Sequence, residues 1–384
     1  MINIPPFGVE RWFVQYEFKV ELNIAESCVQ PFSVRELCEL CGEDPQALLE
    51  LKIAYSDGLG SEDLRAEIAA MYPETTPDQV LVTTGAIEAN FLVANALLAP
   101  GRRAVVEFPA YQQLYSVPAA TGAETRLWEL READRYYPDL GELDRIAPPA
   151  EPLAMLTINH PHNPTGARIS KATLEQIVAA AELRGAVLHS DEVYRGLTLG
   201  DEFSASTSAR AISPAAVVVG SMSKAYGLSG ARIGWIAGPR EIVRRCGEIR
   251  DYVSICPSVH SERLALMALH NQALVLDRNK KIARRNFRLL QGFLGANSDV
   301  VSGPVPHEGV ICFPRYHRPM GDQRPLPGSR DFCGRLAEEH GVLLVPGDCF
   351  EREHHFRLGF GYETATLERG LTVLARYLDA ELRR

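Results

Sequence analysis

Between residues 80 and 240, short apolar runs alternate with stretches whose apolar positions recur every three or four residues. The runs at 80–82, 104–106, 153–158, 186–188, 217–219 and 233–237 read as strands. Residues 86–98 read as a helix with Ile87, Phe91, Leu97 and Leu98 inward. Residues 171–184 read as an amphipathic helix stopped by Gly185. Alternation of this kind implies βαβ units, hence an α/β fold on a mostly parallel central sheet. In such sheets the chemistry collects at the carboxyl ends of the strands.

Beyond residue 275 the pattern changes. Longer helical stretches, a Pro/Gly/Arg-rich segment at 315–330 and a late strand pair at 342–344 and 356–360 read as a smaller α+β domain. The N-terminal residues show no sheet position of their own and are expected to pack with it. The expected division is an N-terminal segment 1–45, a large domain 46–275 and a small domain 276–384. Neither an internal repeat nor a low-complexity region is visible.

Composition narrows the partners. The formal net charge is −9, with 46% hydrophobic and 23% charged residues. An acidic balance argues against nucleic acid or an anionic membrane as partner, although a local basic pocket for a small anion is compatible with it. The start Met1-Ile2-Asn3-Ile4-Pro5-Pro6 lacks a basic region followed by an apolar run, and no apolar stretch reaches the roughly 18 residues of a membrane span. A cytoplasmic protein is expected. Its eight cysteines are expected as thiols. Cys38 and Cys41 form a lone C-x-x-C. Ser33 and Glu36 make a capping box that puts Val34, Leu37, Cys38 and Cys41 on one helical face, so these cysteines read as core, and no metal site is expected.

Each expected strand end carries polar residues. Thr83-Thr84-Gly85-Ala86 follows the first and opens a helix, a turn that lets backbone N–H groups approach an anion. Later ends carry Asn159 to Gly166, His189 to Tyr194, and Gly220 to Gly227 with Arg232 beyond. Lys224 lies among small hydroxyl residues and near an acid from a neighbouring strand. That suits Schiff-base chemistry, in which the amine must lose its proton to attack an aldehyde. Asp191 could hold the protonated nitrogen of a pyridine ring, and clustered Ser, Arg and N–H groups a phosphate. There is no G-x-G-x-x-G after a strand and no Walker A lysine, which argues against a nucleotide-dependent enzyme.

The runs NHPHNPTG, SDEVYRGL and SMSKAYGLSGARIGW, with AYSDGLGSEDLR before them and FRLGF after, resemble in order and spacing the class I/II aminotransferases, fold type I enzymes of pyridoxal 5′-phosphate (PLP). The resemblance covers essentially the whole chain and implies the aspartate aminotransferase-like fold. It also implies residue roles. Lys224 would be the Schiff-base lysine and proton shuttle, and Asp191 the partner of the pyridine nitrogen. Asn163 and Tyr194 would bond the phenolic oxygen, and Tyr111 would stack on the ring. Gly85, Ala86 and Ile87 would offer N–H groups to the phosphate, with Ser221, Ser223 and Arg232 adding side chains. Tyr55 would reach the phosphate of a neighbouring subunit in a homodimer with shared sites, and Arg357 would bind the carboxylate of an amino acid substrate. His160 and His162 read as shaping the loop before Asn163.

Two places depart from the family pattern. Where common members carry a Gly-x-Pro-x-Phe-like run, this chain reads Glu21-Leu22-Asn23-Ile24-Ala25-Glu26-Ser27-Cys28, and Ile87 stands where a hydroxyl residue is frequent. The ELNIAE run resembles PLP-dependent arginine oxidases. SKAYGLSGARIGW, EIRDY and HGVLLVPGDCF resemble the capreomycidine synthase branch. The resemblance thus implies transamination, or alternatively β- or γ-elimination, replacement or cyclisation on an arginine-like amino acid, with Glu26 facing the cationic side chain. A non-catalytic binding module is disfavoured by the intact Lys224, Asp191 and Arg357.

Overall fold

The computed structural model describes residues 3–200 and 204–384. The alternating region forms one seven-stranded sheet. Its strands are β1 (Val80–Thr83), β2 (Arg103–Phe108), β3 (Glu124–Glu129), β4 (Met155–Asn159), β5 (Val187–Asp191), β6 (Val217–Ser221) and β7 (Gly234–Ala237). They lie side by side in the order β1-β7-β6-β5-β4-β2-β3. Four pairings are parallel, and β7 runs antiparallel to both of its neighbours. The start of β7 therefore lies at the same edge as the ends of β1 and β6, which brings Arg232 beside Gly85 and Ser221. Strand β3 had no counterpart in the sequence reading. It is an edge strand with exposed or half-buried side chains at most positions, so its apolar signal is thin.

Leu98, at the end of the helix after β1, is buried as expected, but the helix itself, Ala86–Leu97, buries a different stripe. Ala89, Leu92, Val93 and Ala96 face inward, together with Glu88 and Asn90, while Ile87 is 40% exposed and Phe91 and Leu97 are half-buried. Small side chains let this helix lie close to the sheet and to the helix Arg240–Arg250, whose Val243 and Cys246 share its core. A search for large apolar residues picks the flank of such a helix rather than its seat. Helix Lys171–Leu183 conforms to expectation: Leu174, Ile177, Val178 and Ala181 are buried, Ser170 caps it, and Gly185 follows at φ +64.

The expected late strand pair is split. Val342–Leu343 pairs in parallel with Leu22–Asn23, so the N-terminal segment does hold a sheet position. Val345–Pro346 pairs instead with Phe356–Gly359, which also pairs with Ile311–Cys312. Between the two pairings, the Leu344 carbonyl accepts a hydrogen bond from Trp12 Nε1 at 2.8 Å. A buried indole from helix Gly8–Tyr16 thus divides what looks like one apolar run. Helix Gln272–Ala296 crosses the boundary expected at 275/276. Near the N-terminus the Ser33/Glu36 capping box forms; Leu37 and Cys38 are buried and Cys41 half-buried, but Val34 is 48% exposed and leaves the expected face.

Candidate active site

A cavity of about 350 Å³ opens where β4, β5 and β6 end, lined at those ends by Asn159, Asp191 and Ser221. Lys224 and Tyr194 line it from the loops that follow, and Arg357 from the strand Phe356–Gly359. Ala86, Ile87, Tyr111, Asn163, Ser223 and Arg232 also line it.

Asp191 is 5% exposed. Its carboxylate accepts from Asn90 Nδ2 at 2.8 Å and from the Val193 N–H at 3.2 Å. Burial pushes its pKa up, against the pull of Asn90, Val193 and Lys224. Asn90 Oδ1 lies 3.0 Å from His189 Nε2, and His189 Nδ1 lies 3.3 Å from Thr157 Oγ1. Burial lowers His189 to about 4, so its ring is neutral. A carboxylate can only accept, so Asn90 presents its amide nitrogen to Asp191 and its oxygen to His189. His189 therefore carries its proton on Nε2 and accepts from Thr157 on Nδ1. This chain orients Asp191 without neutralising it. A buried carboxylate so placed suits a cationic ring nitrogen.

Lys224 Nζ donates to Ser27 Oγ at 2.7 Å and lies 3.5 Å from Cys28 Sγ. Burial disfavours its charge, but Cys28, Tyr194 and Glu26 favour it and hold the amine above the ordinary lysine range, Arg357 opposing them. The Cys28 contribution requires a thiolate, whereas burial pushes that thiol up and keeps it protonated at neutral pH.

Arg357 is 2% exposed. It donates to Asn163 Oδ1 at 3.1 Å and to the Ala25 carbonyl at 3.3 Å, while its Nε has no hydrogen-bond partner. No acid among the described residues pairs with it, so a buried guanidinium is left for an incoming carboxylate. At the opposite kind of subsite, Gly85 caps helix Ala86–Leu97 at φ +78, and a side chain there would meet Arg232 Nη2 at 2.5 Å. Helix N–H groups, this guanidinium and the Ser221 and Ser223 hydroxyls suit a phosphate. Tyr194 Oη is buried without a partner. These unsatisfied groups fit PLP: a ring nitrogen for Asp191, a phenolic oxygen for Tyr194, a phosphate for the helix terminus.

Two expected residues stand apart. Tyr55 is 84% exposed and does not line the cavity of its own chain. Glu26 does not line it either; its Oε1 accepts from Asn23 Nδ2 at 3.3 Å, and the segment turns Ser27 and Cys28 inward instead. Besides Asp191, the acid that lines the cavity is Glu10, which accepts from Tyr111 Oη at 2.7 Å. Glu17 lies close to both acids. Burial, with the charges of Glu26 and Glu10, raises it to about 7. His160 bonds Glu107 at 2.9 Å and His162 bonds Thr165 at 2.7 Å, both behind the loop that carries Asn163. Sequence reading missed Asn90, His189, Ser27, Cys28 and Glu10. Asn90 left a signal as an amide among small apolar helix residues, and Ser27 and Cys28 lie in the run that departs from the family pattern.

The family model described as aminotransferase class I and II matches residues 52–374. The chain is 33% identical to the capreomycidine synthase of Streptomyces vinaceus, over 99% of this chain and 95% of that one. Among solved structures, a PLP-dependent aminotransferase from Streptococcus suis 89-1591 superposes with a TM-score of 0.91 at 34% identity, covering 99% of both chains. The PLP-dependent cyclase OrfR superposes at 0.90 with 30% identity, covering 98% of both.

The neutral His189 makes a pH prediction. Its folded pKa of about 4 lies below the ordinary 6.5, so between these values the unfolded chain binds more protons. The contribution is complete above pH 6.5 and is lost as pH falls towards 4, up to about 3 kcal/mol. Denaturant midpoints should fall less steeply across this window for His189→Gln than for the wild type. Parallel curves would contradict a buried neutral ring.

Proposed function

This chain belongs to the class I and II aminotransferases, PLP-dependent enzymes, and within that family we propose that it transfers the amino group of an α-amino acid to a 2-oxo acid. The observation that carries the reading is one cavity combining a lysine amine, a buried carboxylate without a cationic partner in contact and a buried guanidinium with a free N–H. Bound PLP supplies an electron sink for the bond broken at the substrate α-carbon. Lys224 would hold the cofactor covalently and, once freed, carry the α-proton. Asp191 would keep the ring nitrogen protonated. Asn163 and Tyr194 would bind the phenolic oxygen, and Tyr111 would cover the ring. Gly85, Ala86 and Ile87, with Ser221, Ser223 and Arg232, would bind the phosphate. Arg357 would orient the substrate by its carboxylate.

A second reading, cyclisation or elimination on an arginine-like substrate, draws support from the likeness to capreomycidine synthase and from the acids near the cavity. Glu17, raised to about 7 by burial and by Glu26 and Glu10, marks a crowd of carboxylates that a cationic side chain would relieve.

The working unit is proposed to be a homodimer. Ile53 and Tyr252 are 94% exposed and Tyr55 84%. Arg250 donates to the Gly58 carbonyl, linking the segments that carry these exposed residues, and we infer that they belong to one docking face. Pairing of that face would let Tyr55 serve the neighbouring phosphate subsite. We keep the division 1–45, 46–275 and 276–384 as a proposal, and a cytoplasmic location, which eight free cysteines support.

Each part of this reading has an expected outcome. Holoenzyme reduced with borohydride should carry its label on Lys224, and Asp191→Asn should keep the fold while losing turnover by orders of magnitude. A label on another lysine contradicts the site. With an amino acid the visible band should fade and return on adding a 2-oxo acid; ammonia release or a cyclic product from arginine would establish the second reading instead. Should arginine be the substrate, it should act at roughly 10- to 150-fold lower concentration than leucine, from a charge-assisted contact. Finally, sedimentation should give a dimer, and an active monomer would exclude the role of Tyr55.

A further inference from the structure

The segment from Ala25 to Phe32 crosses the cavity and is fastened along the loop that bears Lys224. The Val29 N–H donates to the Lys224 carbonyl at 3.3 Å and the Phe32 N–H to the Gly227 carbonyl at 3.1 Å. Arg278 donates to the Gln30 carbonyl at 2.6 Å and lies 4.0 Å over the Phe32 ring. Asn279 Nδ2 holds the same lysine loop through the Ala225 carbonyl at 2.8 Å. At the other end, the Ala25 carbonyl accepts from Arg357. Ala25 and Val29 are fully buried. Only Ser27 and Cys28 point from this strap into the cavity, 8% and 7% exposed, and both meet Lys224 Nζ.

A lysine amine on four rotatable bonds has many places to go once it is freed. Proton transfer needs it within hydrogen-bond reach of one atom. A hydroxyl oxygen that accepts one N–H fixes the amine and leaves the nitrogen lone pair free. The Cys28 thiol, kept protonated by burial, borders the amine without forming an ion pair that would lock it as the ammonium. Cys28, Tyr194, Arg357 and Asp191 are the titratable or charged groups that share the cavity with Lys224 and couple to it by charge, and Glu26 acts on it by charge from outside the cavity.

We propose that Ser27 and Cys28 form a cradle that receives the Lys224 amine whenever it is not bonded to the cofactor, and that Ser27 is a positioning residue for the steps this amine performs. The proposal rests on Lys224 being the cofactor-bonding lysine. It also assigns a use to the departure from the family pattern at Ser27-Cys28, which the substrate reading of Glu26 left unexplained.

The test compares two side chains of equal shape, S27T and S27V, with wild type, using apoenzyme and PLP alone. Stopped flow follows formation of the covalent bond to Lys224 through its visible absorbance over a range of pH, and equilibrium titration gives PLP affinity. S27V should lower the limiting rate at high pH by about tenfold or more, the usual effect of losing a hydrogen bond to an ionisable group. Its pH midpoint should move down, because the hydroxyl oxygen favours the ammonium. S27T should recover most of the rate, with PLP affinity similar in both. Equal rates and midpoints for S27T and S27V, with borohydride still labelling Lys224, would overturn the cradle alone. Loss of Lys224 labelling in the wild type would strike the parent reading instead.

Discussion

The site depends on a carboxylate kept buried and ionisable at the end of β5. Asp191 would be costly there in isolation, since burial favours its neutral form. Asn90 offsets that cost by donating to it, and Asn90 is held in turn by a neutral histidine that accepts from Thr157. None of these supports carries a positive charge. Had Asp191 been paired with an arginine, its field would be spent inside the protein. Because it is supported by amides, a hydroxyl and a neutral imidazole, its charge remains available to a ligand.

The same economy appears at Arg357. It is oriented by an amide oxygen and a carbonyl, both neutral, and so keeps its charge for a carboxylate. The sheet explains why these groups converge. Parallel strands deliver Asn159, Asp191 and Ser221 to one edge, and the reversal at β7 brings Arg232 to that edge from the opposite direction. The N-terminal strap then crosses from Arg357 to Lys224 and closes the side that the sheet leaves open.

Much of this was legible in the residues. Strands β1, β2, β4, β5, β6 and β7 are buried on both faces, so their composition alone announces them. Lys224, Asp191 and Asn163 sit in runs whose order resembles a family, and the cavity gathers all three. What was not legible depends on contacts distant in sequence. Nothing near Leu344 says that Trp12 will take its carbonyl and split the strand. Asn90 acquires meaning only when Asp191, about a hundred positions away, lies against it. Glu26 drew attention by its charge, yet which of three successive side chains face inward is set by the backbone of the strap, and these are Ser27 and Cys28, not Glu26. The place of Tyr55 is a matter of a surface, and a single chain leaves it facing outward.

The pairing of Leu22–Asn23 with Val342–Leu343 bears on how the molecule is made. The seven-stranded sheet is complete once residue 237 exists, and its strands are near neighbours in the chain. The strap cannot be fastened at both ends until the last hundred or so residues have left the ribosome, because its partners at Lys224 and Gly227 are made early but those near Leu343 and Arg357 do not yet exist. A nascent chain would therefore pass through a period with a formed sheet and an unformed cavity, while about twenty N-terminal residues wait as an unpaired ligand for their own C-terminus. On this order of events, competence to hold a cofactor arrives with the final strand and not with the sheet that carries most of the chemistry.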